Sequence, residues 1–177
     1  GNDDGVVLAL FAEVNMYVAV ALMIYEANSL WATESNFVYP HGLYNDNHYT
    51  TAYDLYLIFN EAIKYSKFVD TLSCMKYTGS FTRKTAYGDY SIGCSYTNSN
   101  GFLTGSYATP DGIKVYGGKA GYTEVARRSY VMLAESNNGH KYIIITMRAE
   151  SNSLMYKDLS ALLNKIPVDK KSYADNE

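Results

Sequence analysis

Cysteine, proline, histidine and tryptophan are all scarce in these 177 residues (two, three, three and one), and only 19% of positions are charged. The cysteines, Cys74 and Cys94, fit no C-x-x-C metal or redox spacing, which leaves one disulfide or two free thiols as the alternatives. His41, His48 and His140 are scattered, arguing against a His/Cys metal centre, and neither metal nor cofactor is expected. Clustered Lys and Arg are missing and the formal net charge is −3, so the chain is not read as a nucleic-acid binder. The pair Arg127-Arg128 is too short to change that. No apolar run approaches the roughly 20 residues of a membrane span. The nearest, Val18 to Ile24, is far shorter, and no signal-peptide pattern is visible.

What is present is a folding composition, 47% hydrophobic, with length for one domain and a sizeable core. Asn2-Asp3-Asp4 followed by apolar residues 6–14 predicts a buried helix with acids at its start. A second helix is predicted over Tyr17–Asn28, and the turn-rich Thr33–Tyr49 reads as a loop. Thr51-Ala52-Tyr53-Asp54 has the form of a capping box. Behind it Leu55, Ile58, Phe59, Ala62 and Ile63 recur at helical spacing. After about Lys76 alternation replaces that spacing: Tyr77–Thr82, Tyr90–Tyr96, Arg128–Glu135 and Lys141–Arg148 read as strands. Asn137-Asn138-Gly139 supplies tight-turn chemistry for a hairpin between the last two. A final helix is predicted over Leu154–Ile166, with Met155, Leu159, Leu162, Leu163 and Ile166 on one stripe, stopped by Pro167. Helices, then an antiparallel sheet, then a covering helix make an α+β fold. The predicted domain is 1–166, helical over 1–75 and sheet plus helix over 76–166, with 167–177 a polar tail or linker.

Three stretches carry chemistry. Phe37-Val38-Tyr39-Pro40-His41-Gly42-Leu43 is followed by His48-Tyr49-Thr50-Thr51-Ala52-Tyr53-Asp54-Leu55, and far downstream stands Gly117-Gly118-Lys119-Ala120-Gly121-Tyr122-Thr123. The first two stretches resemble the F-x-N-P-H-G-L and H-Y-S/T-T-A-x-D-L signature of the D-alanyl-D-alanine carboxypeptidases. The third resembles their G-K-T-G-Y-T strand, the third motif of penicillin-binding proteins. Gly1-Asn2-Asp3 resembles the end of their S-G-N-D segment. Order and spacing agree from Gly1 to about Ile166, which implies a partial penicillin-binding-protein fold.

Acyl transfer from a peptide ending in a carboxylate needs a nucleophile, a proton shuttle, an oxyanion hole and a cation for that carboxylate. By resemblance, Asn2 would orient the substrate amide, and Lys119 would face the terminal carboxylate. The strand around Gly121 would pair with the extended substrate, and the Tyr122 N–H would form half of the oxyanion hole. The serine and lysine of the first motif, S-x-x-K, would precede Gly1. Ser73-Cys74-Met75-Lys76 has that pattern in the wrong place and is taken as coincidental. Removing a serine nucleophile costs on the order of 10⁶ in turnover in a well-studied hydrolase, so this chain is expected to be inactive. Ala120 stands where the family has Thr. A hydrogen bond to a charged group is worth roughly 1.5–3 kcal/mol, so its loss weakens transition-state binding about 10- to 150-fold. Val125-Ala126-Arg127-Arg128-Ser129 also departs from the family's usual A-G-x-C.

The resemblance implies a peptidoglycan stem peptide or a β-lactam as the partner of a full-length parent, outside the cytoplasmic membrane. A degenerate relative that binds such peptides, or a protein, without cleaving them is the alternative, and a serine β-lactamase relative is a weaker one. Because the family's sheet includes strands that precede the helical region, an uncovered edge and a homodimer or strand exchange are expected.

Overall fold

A computed structural model describes residues 15–169. Asn2 and the helix predicted over 6–14 lie outside the described residues. Helix α1, Met16–Ser29, covers the predicted second helix. The Asn15 side chain accepts from the Val18 N–H at 3.0 Å to start it. Its end is a Schellman turn: Ala32 N donates to Ala27 O and Trp31 N to Asn28 O, with Trp31 left-handed at φ 63°. The two alanines of that turn are both buried.

The loop that follows is pinned by an antiparallel bridge between Asn36 and Tyr49. Helix α2, Ala52–Ala62, opens on Thr51, whose hydroxyl accepts from the Asp54 N–H at 3.0 Å. The other half of the predicted capping box is diverted. The buried Asp54 carboxylate accepts instead from the Ser35 hydroxyl at 2.7 Å, which fastens the loop to the helix. A short helix, α3 (Ser66–Ser73), was not predicted; its N-cap, Tyr65, makes no capping bond.

The strands form two sheets, where one was expected. β1 (Lys76–Arg83) and β2 (Tyr90–Thr97) make an antiparallel ribbon on their own. β3 (Ile113–Thr123), β4 (Arg127–Ser136) and β5 (Lys141–Ala149) form an antiparallel sheet with β4 in the middle. The β4–β5 turn is looser than Asn-Gly suggests. Gly139 alone takes a positive φ, and Ser136 N donates to His140 O across a three-residue loop.

The run Tyr130–Ala134 is apolar at nearly every position because β4 is covered on both faces. Tyr130, Met132 and Ala134 pack with Met155, Tyr156, Leu159 and Leu163 of helix α4 (Asn152–Leu163). Leu133 packs on the other side with Phe59 of α2 and Leu72 of α3. The sheet is thus the middle of three layers. Helix α4 ends at Leu163, earlier than predicted, and Ile166 reaches the core from beyond it. The start of the tail is not free. Asn137 holds the Asp169 backbone by two 2.8 Å hydrogen bonds, and Val168 lies against Gly112. Cys74 and Cys94 are free thiols, since the ribbon register sets Cys94 opposite Gly79.

Candidate functional site

The strand β3 changes character at its middle. Its root is anchored by two glycines that the chain needs for itself. Tyr116 is an extra residue, bulged out between the pairs Val115–Ala134 and Gly117–Leu133. The bulge leaves Gly117 at φ 127°, and a Cβ there would lie 2.2 Å from the Leu72 carbonyl oxygen at the end of α3. At Gly118 a Cβ would lie 2.1 Å from the Val131 oxygen of the neighbouring strand. Only glycine lets α3, β3 and β4 come this close.

Beyond the glycines the strand opens. Lys119, Ala120, Gly121 and Tyr122 are all exposed, and among the described strands β3 pairs only with β4, so its other edge is free. The Lys119 ammonium donates to the Ala120 carbonyl. Gly121 has nothing within 4 Å of where a Cβ would stand, so no packing among the described residues requires glycine there. On the α4 side, Ala120, Gly121 and Tyr122 border a cleft of about 210 Å³ with Arg128, Asn152 and Met155. The Arg128 guanidinium lies 4.6 Å from the centre of the Tyr122 ring, within cation–π range.

A larger cavity, about 480 Å³, lies between the tip of the β3–β4 hairpin and the loop predicted from the Pro-His-Gly segment. Gly121, Tyr122 and Thr123 form one wall; Phe37, Tyr44, His48 and Tyr49 form another. Tyr44 and Tyr49 are exposed and line it. His48 accepts from the Val38 N–H at its Nδ1 (3.1 Å), and burial, aided by nearby His41, holds its pKa below the usual histidine value. It therefore stands as neutral imidazole. His41 accepts from the Leu43 N–H and stacks on Tyr39, a turn-forming role.

Sequence reasoning missed two lining residues, Met147 and Arg148. A second bulge sets both opposite Ser129, and Arg148 takes φ 62°. Bulges of this kind re-aim side chains. Arg127, at φ 58°, also lines the cavity, so two arginines border it. Arg127 was visible as part of a basic pair; nothing in the sequence marks Arg148. Lys119 borders neither cavity, Ala120 only the smaller one, and Asn2 lies outside the described residues.

The S-x-x-K at Ser73 has no nucleophilic geometry. Ser73 is the last residue of α3, and its hydroxyl donates to the Val69 and Asp70 carbonyls. The chain then turns extended at Cys74, and Lys76 begins β1, so serine and lysine share no helix face.

Residues 1–151 match a sequence model of the family described as D-alanyl-D-alanine carboxypeptidase. A comparison with curated proteins gives no match. Among solved structures, a D-alanyl-D-alanine carboxypeptidase from Mycobacterium tuberculosis H37Rv is similar, at 26% identity and a TM-score of 0.69, over 93% of this chain and 58% of that one. Penicillin binding protein 5 from Haemophilus influenzae gives 25% and 0.74, over 93% of this chain and 43% of that one. An evolved putative penicillin-binding protein homolog from Mycobacterium tuberculosis gives 26% and 0.64, over 96% and 63%. The chain thus spans roughly half the length of the proteins it resembles.

Proposed function

The chain belongs to the D-alanyl-D-alanine carboxypeptidase family, and from that premise we propose that it forms the substrate-positioning wall of a serine-type carboxypeptidase acting on peptidoglycan stem peptides. One observation carries the reading. Among the described residues the tip of β3 is an open edge whose glycine, Gly121, is unexplained by packing. A glycine with no intramolecular reason on a free edge suits the close approach of another extended backbone. A stem peptide laid along Lys119–Tyr122 would add a strand there.

Each group then has a chemical task. The Tyr122 N–H would meet the oxygen that becomes negative in the tetrahedral intermediate, where a fixed donor is worth most. Lys119 would supply positive charge for the terminal carboxylate, and Asn2 would hold the substrate amide. Arg127 and Arg148 of the adjoining cavity offer a planar, bidentate alternative to Lys119 for that carboxylate. Neutral His48 sits with the aromatic residues that would receive the rest of the peptide. The nucleophile must come from outside these residues, so the 177-residue chain is proposed to be inactive alone and its parent to work outside the cytoplasmic membrane.

Ala120 favours a second reading, a parent that binds stem peptides without cleaving them. Labelled penicillin separates the two. A working parent gives a stable covalent adduct; a folded parent without one sinks the enzyme reading. The chain itself is expected to give none, and an adduct traced to Ser73 would overturn the geometry described for it.

A further inference from the structure

The β1–β2 ribbon takes no part in the site. Its register divides it cleanly. Tyr77 faces Tyr96, Gly79 faces Cys94, Phe81 faces Ile92 and Arg83 faces Tyr90, while the alternate pairs are Lys76–Thr97, Thr78–Ser95, Ser80–Gly93 and Thr82–Ser91. Opposed residues of a ladder share a face, so one side of the ribbon is aromatic and the other is hydroxyl-bearing. A two-stranded ribbon alone is marginal in water, and its apolar face ordinarily lies against something. Here Tyr77, Phe81, Tyr90 and Tyr96 are all exposed. Tyr77 bends back along its own strand over Gly79.

The tip is shaped as well. Thr85 organises the turn, its hydroxyl donating to the Gly88 carbonyl at 2.7 Å and accepting from the Tyr87 N–H, which leaves Tyr87 wholly exposed at the apex. Across residues 76–97 there are three cations, Lys76, Arg83 and Lys84, against one acid, Asp89, in a chain of net charge −3. The ribbon thus combines a local excess of two positive charges with an exposed aromatic face.

We propose that this ribbon lies flat on the surface of an anionic lipid bilayer. The tyrosines and Phe81 would sit at the headgroup level, Arg83 and Lys84 would meet lipid phosphates, and the Thr/Ser face would stay in water. Tyrosine rings favour that interface, with an apolar body and a polar end. Cations beside an anionic surface each strengthen adsorption, and that contribution is screened by salt. The attachment is peripheral and reversible, and it is independent of the peptide-binding role proposed above.

The test is co-sedimentation of the 177-residue chain with vesicles of phosphatidylcholine, with and without about one-third phosphatidylglycerol. Binding is expected only with phosphatidylglycerol, and it falls as salt is raised. The double variant R83E/K84E should bind about 30-fold more weakly or worse, at about 1 kcal/mol per cation removed. In Y87W, tryptophan emission should shift to the blue on the anionic vesicles and be quenched by brominated lipid, placing the tip in the interface. Far-UV circular dichroism checks that both variants fold. Equal binding to neutral vesicles, unchanged binding by R83E/K84E, or no shift in Y87W would overturn the proposal. So would retention on insoluble peptidoglycan but not on vesicles, or a dimer in sedimentation velocity that R83E/K84E and Y87W dissolve.

Discussion

Replacing Gly117 by alanine tests the root of the candidate site. At φ 127° the backbone lies where a side chain is strained, at about 1–3 kcal/mol. The new methyl would also lie 2.2 Å from the Leu72 oxygen, a backbone atom of α3 that cannot swing aside. Forcing helix and strand apart adds overpacking of about 1–3 kcal/mol. The sum, about 2–6 kcal/mol, compares with total stabilities of about 5–15 kcal/mol. Gly117→Ala should therefore lose much of the cooperative transition in urea, followed by far-UV circular dichroism. Gly121→Ala is the control, because its Cβ enters open space and its φ is not positive. There the reduced freedom of the unfolded chain should stabilise by about 0.4–1 kcal/mol. Equal urea midpoints for the two variants would refute the close approach of α3 to β3.

Two further outcomes follow from local geometry. Trp31 is 82% exposed yet left-handed, an arrangement costing an L-residue about 1–2 kcal/mol, so Trp31→Gly should raise stability by about 1 kcal/mol in the same urea assay. His48 has a pKa held below the ordinary value by burial, so its stabilisation is fully present above about pH 6.5 and is lost as the pH falls through the lower folded value. The urea midpoint should drop between about pH 7 and about pH 5, and less steeply in His48→Gln; parallel profiles would mean that His48 carries none of the effect.

Much of the fold was legible because the signals are local. Thr51 announces α2 by its own hydroxyl, and the stripe Met155, Leu159, Leu163 announces α4. What escaped depends on partners. Helix α3 has eight residues and no capping side chain, so nothing in its sequence competes with a loop reading. The glycines of β3 weaken it as a strand by periodicity, and the motif resemblance alone marked it. The bulges at Tyr116 and at Met147-Arg148 exist only in pairing with β4, and the second is what brings Arg148 to the cavity. The Asp54 carboxylate was assigned to its own helix because Ser35, its actual donor, stands 19 positions away.

Anchoring and presentation are separated along a single strand. Gly117 and Gly118 are fixed by the backbones of α3 and β4, so a change there is paid in stability whatever the protein does. Ala120, Gly121 and Tyr122 stand exposed beyond them, where a change alters what meets an incoming backbone and leaves the core alone. A threonine-to-alanine difference at position 120 should therefore matter little to folding, while under the proposed function it removes a hydroxyl from the substrate's path. Restoring a hydroxyl with Ala120→Thr in the full-length parent should accordingly leave the urea midpoint within about 0.5 kcal/mol and speed acylation by penicillin by about 10-fold or more. An unchanged acylation rate at unchanged stability would mean that the strand tip does not touch the carboxylate end of the ligand.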